Sequence, residues 1–235
     1  MKSIATIAAE FDAIAIAAEA NPRRDVLTPA ERSILSHVPA NATRGLDVGC
    51  GDGILTRAAA RREIAMLGVD VSPQMIDLAR ARTGADARIE YCVADIMTDT
   101  FAERSFDFVM TINMVHHVVL ADVVPRLARL VAPGGVLLIQ DVVTRSGARY
   151  LPLNAVAAVR SRFRRLVMRS RIAPPVAALY DAHGEGEVYL EPAQVAPAYS
   201  MLLPGARVFQ HLEWRYSVVW RRGRPAEVAG RDPEA

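Results

Sequence analysis

Residues 46–56, Leu-Asp-Val-Gly-Cys-Gly-Asp-Gly-Ile-Leu-Thr, constrain the fold more than any other stretch of this chain. An apolar run ends in three glycines at alternate positions, and an apolar helical pattern starts directly after them. Glycine tolerates positive φ, so the backbone can turn sharply and lie against a ligand with no side chain between. The following helix would point its free N–H groups at the same space. The spacing is Gly49-x-Gly51-x-Gly53, whereas the dinucleotide fingerprint places its third glycine one residue later, at Ile54 here. A nicotinamide or flavin cofactor is therefore disfavoured. No Gly-Lys-Ser/Thr follows the loop, so the triphosphate-binding loop is absent.

Around this element runs an alternation of two periods. Strands are predicted at 45–48, 66–71, 88–93, 106–111 and 136–141, with helices at 54–62, 73–82 and 121–130 between them. Strands that alternate with helices predict an α/β fold: a doubly wound, mostly parallel, seven-stranded Rossmann-like sheet. Its last two strands, 207–214 and 216–220, are close enough to pair as a hairpin, which gives an antiparallel C-terminal strand. Two amphipathic helices are predicted ahead of the sheet. The first covers residues 3–20; the second starts at the capping box Thr28-Pro29-Ala30-Glu31 and runs to Val38. Residues 151–171 read as one helix with Val156, Val159, Phe163, Leu166 and Val167 on a shared face and six arginines on the rest. Residues 176–200 are mixed, and the glycine-flanked segment around His183 reads as an exposed loop. The organisation is thus N-terminal helices (1–40), a cofactor-binding core (41–141), a helical lid insertion (142–205), closing strands (206–221) and a mobile polar tail (222–235).

Composition limits the function classes. The chain has 235 residues, half of them apolar, which suits one α/β domain with a lid. A formal net charge of +2 makes nucleic acid an unlikely partner. The arginine-rich helix is read as a solvated face. Glu10, Asp12 and Glu19 interrupt the apolar N-terminus, so no secretory signal is read there, and no apolar run is long enough to span a bilayer. The two cysteines, Cys50 and Cys92, belong to no Cys-x-x-Cys or Cys/His set. A cytoplasmic protein without a metal is expected, and a homodimer is compatible with the composition.

Ligands of open parallel sheets bind beyond the carboxyl ends of the strands. Asp70 ends the second strand about 20 residues past the loop, where a carboxylate can accept both ribose hydroxyls. After the third strand, Asp95 can meet an adenine amino group, with Ile96 against the ring face. His116 and His117 follow the fourth strand and are the candidate bases, because imidazole titrates near neutral pH.

Five ordered segments resemble the class I S-adenosylmethionine-dependent methyltransferase family: LDVGCGDG at 46–53, GVDVSPQMI at 68–76, VADI at 93–96, FDFVMTINMVHHV at 106–118 and LVAPGGVLLIQD at 130–141. The resemblance covers roughly residues 30–141; residues 203–207 and the closing strands also look like the end of that fold, and 142–202 match less well. It implies S-adenosyl-L-methionine as cofactor. It implies Asp47 and the loop around Gly49 and Gly51 for the methionine portion, and Asp70, Val71 and Met75 for the ribose. Asp95 and Ile96 are implied for the adenine, and Asn113 for the neighbourhood of the sulfonium. The lid region then suggests a small-molecule acceptor. An S-adenosylmethionine-binding protein with non-methylating chemistry, or a partner subunit, is the first alternative; a nicotinamide oxidoreductase is the second. No Asp/Asn-Pro-Pro-aromatic run or Pro-Cys nucleophile points to a nucleic-acid base as acceptor.

Overall fold

The computed structural model describes residues 2–21, 26–86, 88–167 and 172–223. Seven strands form one sheet: β1 (Arg44–Val48), β2 (Ala65–Asp70), β3 (Ile89–Val93), β4 (Phe106–Ile112), β5 (Val131–Val142), β6 (Arg207–His211) and β7 (Arg215–Arg221). Their order across the sheet is β3-β2-β1-β4-β5-β7-β6. The first five are parallel; β7 runs antiparallel between β5 and β6, with Leu138 opposite Val219 and Phe209 opposite Ser217. The predicted doubly wound sheet with an antiparallel C-terminal strand is what the chain adopts.

Period-two alternation in the buried strands sorts side chains to opposite faces. Leu137 and Ile139 of β5 join one apolar cluster with Leu46, Val48 and Val109, while Val136 and Leu138 join another with Phe108 and Met110. The first cluster is closed by α5 (Leu120–Leu130) and the second by α2 (Pro29–Leu35) and α3 (Ile54–Ala60). The predicted capping box is present at α2: Glu31 N–H donates to Thr28 Oγ1 at 3.2 Å and Thr28 N–H to Glu31 Oε2 at 2.6 Å. Ser72 caps α4 (Pro73–Thr83), accepting from Met75 N–H at 3.0 Å. Strand order reverses between β1 and β4, which leaves a crevice at their carboxyl ends.

Beyond β5 the structure departs from the sequence reading. Three helices follow: α6 (Leu151–Val167), α7 (Pro174–Gly184) and α8 (Pro192–Leu202). Both α7 and α8 carry proline in the first turn, where its missing N–H costs nothing; Gly184 and Pro197 obscure the helical pattern in the sequence. Val195 and Tyr199 of α8 enter the core beside α5, and the Tyr199 and Tyr216 hydroxyls meet at 3.0 Å. The described part of the apolar face predicted for α6 is exposed. Ala157 and Ser161 are buried, whereas Val156, Val159 and Phe163 are more than half exposed. Small side chains let the helix approach closely, and the bulky ones face away. Leu166, Val167 and four of the six arginines, and the tail from residue 224, lie outside what is described of side chains or backbone.

The N-terminal helix α1 (Ile4–Ala20) lies over α4 and α7. Ile14 and Ala15 pack with Met75, Leu78 and Val176. Asp12 binds the first turn of α4, accepting from Ser72 Oγ at 2.5 Å and Gln74 N–H at 3.1 Å. This places α1 and α7 across the carboxyl end of the sheet.

Candidate active site

The loop after β1 is built for close approach. Gly49, Gly51 and Gly53 all have positive φ. At Gly53 (φ +76°) a Cβ would lie 2.3 Å from the Tyr91 hydroxyl, so the position excludes side chains on two counts. At Gly51 (φ +51°) a Cβ would meet nothing within 4 Å. The loop therefore opens onto free space there.

Asp70 stands at the rim of this space. Its Oδ2 accepts Gly51 N–H and its Oδ1 accepts Ser72 N–H, both at 2.9 Å. The Val71 backbone adds a third donor, which leaves about one of a carboxylate's four acceptor sites open. Burial raises the Asp70 carboxyl above its usual range against the pull of these N–H groups. Asp47 is buried behind the loop and accepts Thr56 Oγ1 at 2.6 Å, tying β1 to α3. Burial pushes its carboxyl up to about 7, opposed by Thr56 and assisted by the charge of Asp70. Such a group gains most from a cationic neighbour.

The other predicted cofactor residues are less open. Met75 is buried under α1, and Val71 is half-buried. Asp95 uses Oδ1 to accept Met97 N–H at 2.8 Å, and Ile96 packs into the core with Val69 and Val115. The Ile96 side chain is thus committed to the interior. Asn113 has positive φ, and its side-chain oxygen accepts from Arg215 of β7.

His116 and His117 lie in a 3-10 turn after β4. They do not stand alone. His183, expected in an exposed loop, is on α7 and buried, with its Nε2 3.4 Å from Nε2 of His117. The reason is helical placement: α7 delivers His183 to the ends of β4 and α1, where Phe11 packs against its ring at 4.7 Å. Each imidazole also meets a carboxylate through Nδ1: His116 with Asp141 at 2.7 Å, His183 with Glu10 at 2.6 Å and His117 with Glu187 at 3.4 Å. Lys2 lies 2.9 Å from Glu10 and 3.8 Å from Glu187. Burial lowers His117 to about 3, with the charges of His116 and His183 adding, so this ring is neutral at physiological pH. Sequence reasoning missed Glu10, Asp141, His183 and Glu187 as site residues. They come from three distant segments, around residues 10, 141 and 183–187, and no spacing signals their meeting.

Comparisons with known proteins agree with this geometry. A family profile described as a methyltransferase domain matches residues 46–139. An uncharacterized methyltransferase of Mycobacterium tuberculosis is 31% identical over 190 residues, covering 78% of this chain and 89% of the relative. The chain belongs to the class I S-adenosylmethionine-dependent methyltransferases. A ubiquinone biosynthesis O-methyltransferase of Sinorhizobium medicae is 33% identical over 109 residues, 46% of this methyltransferase and 44% of that one. Among solved structures, phosphoethanolamine N-methyltransferase 2 of Haemonchus contortus, in complex with phosphomonomethylethanolamine and S-adenosylhomocysteine, shares the fold. Its TM-score is 0.62 at 17% identity, over 91% of this chain and 58% of that chain. A chain from the complex of the Haloferax volcanii Trm112 methyltransferase activator with a methyltransferase gives 0.65 at 17% identity, over 92% and 98%. S-adenosylmethionine is the cofactor of this family. No helix among the described residues is long and apolar enough to cross a membrane.

Proposed function

We propose that this methyltransferase acts on a small-molecule acceptor bound between the glycine loop and the histidine cluster, under α1 and α7. The observation that supports this most is the pairing, at the ends of β1 and β4, of an open glycine cradle at Gly51 with a mostly buried polar wall of three imidazoles. A wall covered by Phe11, Lys2 and Glu10 of the N-terminal segment leaves room for a compact acceptor better than for a polymer.

S-adenosylmethionine, when bound, supplies an electrophilic methyl group. The protein's own contribution is placement, which can account for up to roughly 7–11 kcal/mol of a barrier. Asp70 would hold the ribose through its remaining lone pair, and Gly49 and Gly51 would let the chain pass close to the methionine portion. Asp47 would favour the cationic end of that portion from behind the loop. Val71 and Met75 would line the ribose side, with Asp95 and the Ile96 backbone at the adenine and Asn113 at the sulfonium end. His116 and His117 are the acceptor-side pair, able to act as bases only while their Nε2 lone pairs are free. Asp141 fixes the His116 ring through Nδ1 and through the His116 backbone N–H, at 2.7 and 3.0 Å, which leaves Nε2 to act.

Calorimetric titration with S-adenosylhomocysteine, followed by mass spectrometry for its formation with a panel of small hydroxy, amino and carboxylic acceptors, tests the reading. Binding together with product from a small acceptor is expected. Product with RNA or protein and none with small molecules would overturn the acceptor class.

A further inference from the structure

We infer that His116, His117 and His183 form a site for a divalent transition metal of the zinc class. One ring nitrogen from each lies within 4.8 Å of the other two. The choice of nitrogen follows from the carboxylates. Nδ1 of His116 faces Asp141, Nδ1 of His183 faces Glu10 and Nδ1 of His117 faces Glu187. A neutral imidazole that donates through Nδ1 carries its lone pair on Nε2. Two such lone pairs, on His117 and His183, then confront each other at 3.4 Å. In the tautomer that protonates both Nδ1 atoms no hydrogen lies between them, and a cation relieves the repulsion. Two nitrogens each about 2.0–2.1 Å from a tetrahedral zinc are about 3.3–3.4 Å apart, so this pair already has the required separation.

The surroundings match the same ion. Metal-bound histidines usually give their second nitrogen to a carboxylate, which fixes tautomer and ring orientation; His116 and His183 do so here, and the Nδ1 of His117 faces Glu187 at 3.4 Å. The carboxylates of Asp141, Glu10 and Glu187 and the ammonium of Lys2 together carry a formal charge of −2. A divalent cation neutralises it. Glu187 Oε1 and His117 Nδ1 are buried with no hydrogen-bond partner, facing each other at 3.4 Å. Imidazole donors suit zinc, copper, iron and nickel rather than magnesium or calcium. Three protein ligands leave a fourth position for water or an oxygen of the acceptor, as in catalytic rather than structural zinc sites. The expectation of a metal-free protein rested on sequence spacing, and His117 and His183 are 66 residues apart.

The assignment of the open position to the acceptor rests on the proposed function; the metal site itself does not. The test uses the full chain, stripped with a chelator and then titrated with zinc and with cobalt(II). One equivalent of zinc is expected to stay bound through desalting, measured by elemental analysis, and the cobalt(II) form should show visible ligand-field bands of a four-coordinate nitrogen-rich site. His183→Ala and His117→Ala should each weaken binding at least ~100-fold, and Glu10→Gln roughly 10–100-fold, the usual effect of removing an orienting partner. Titration with S-adenosylhomocysteine on the same samples reports folding and tests the methyltransferase reading separately. A variant that fails to fold leaves the wild-type spectrum to decide, through zinc-induced shifts of the three histidine Nε2 resonances. Failure of the wild type to bind either ion at micromolar concentration, unshifted resonances, or unchanged affinity in folded His183→Ala, would overturn the site.

Discussion

Replacing Asp47 with asparagine should make the protein's stability less sensitive to pH, and the structure sets the size of the effect. The Asp47 carboxyl is raised from its usual 3.8 to about 7, chiefly because it is buried. The native state therefore keeps a proton that the unfolded chain releases. For an acid with a raised pKa, the contribution to stability is fully present below pH 3.8, falls as pH rises through the window to about 7, and levels off above it. At about 1.36 kcal/mol per pH unit the whole window is worth on the order of 4 kcal/mol, and the part between pH 5 and pH 8 about 2–3 kcal/mol. The asparagine side chain is close to isosteric and can still accept from Thr56, but its amide N–H groups need partners, a cost of about 1–3 kcal/mol that does not vary with pH. Urea unfolding of wild type and Asp47→Asn at pH 5 and pH 8 reads the group, since titrations not coupled to it cancel in the difference. The variant should gain about 2–3 kcal/mol relative to wild type between the two pH values. A difference that stays constant within about 0.5 kcal/mol would refute the reasoning. Affinity for S-adenosylhomocysteine should fall in the same variant, because a neutral amide gives up the interaction with the ligand's ammonium.

Other substitutions probe the loop and the two halves of the site. Gly53→Ala forces a side chain into left-handed backbone and against Tyr91, so a loss of about 2–4 kcal/mol is expected, read as a lowered melting temperature. Asp70→Ala should weaken S-adenosylhomocysteine binding at least ~10-fold by calorimetry, through the loss of hydrogen bonds to a charged group; unchanged affinity would remove Asp70 from the ribose site. His117→Ala should cut turnover with a true acceptor while S-adenosylhomocysteine binding survives; unchanged turnover would end its catalytic role.

The part of the fold legible in the sequence is the part whose signals are local. Each strand from β1 to β5 ends where an apolar run meets a turn residue, and the caps at Thr28 and Ser72 are read from single side chains. The glycine loop and the place of Asp70 at a strand end were legible for the same reason, since Gly49–Gly51 and Asp70 lie at the ends of strands. Ile96 was not: its alternation places it near a ligand, but whether it faces ligand or core depends on how the chain turns after β3. On the other side His116 and His117 follow a strand and could be named, but His183 could not, because it reaches His117 only through the packing of α7 on α1. The α6 face failed for a related reason. Periodicity shows that one side of a helix is apolar, and it does not say that small Ala157 and Ser161 are the ones that meet the protein.

The place of β7 has a consequence for the order in which the molecule can be made. It is the last of the described strands in sequence yet sits inside the sheet, hydrogen-bonded to β5 on one side and β6 on the other. Until residues 215–221 leave the ribosome, the edge of β5 from Val136 to Val142 has no partner, and β6 has nothing to attach to. An unpaired edge of this kind invites pairing with another chain, and the contact that closes it spans about eighty residues of sequence, which slows it. During synthesis the cofactor loop, β1 and β4 can assemble early, while the sheet that supports them waits for its penultimate slot to be filled.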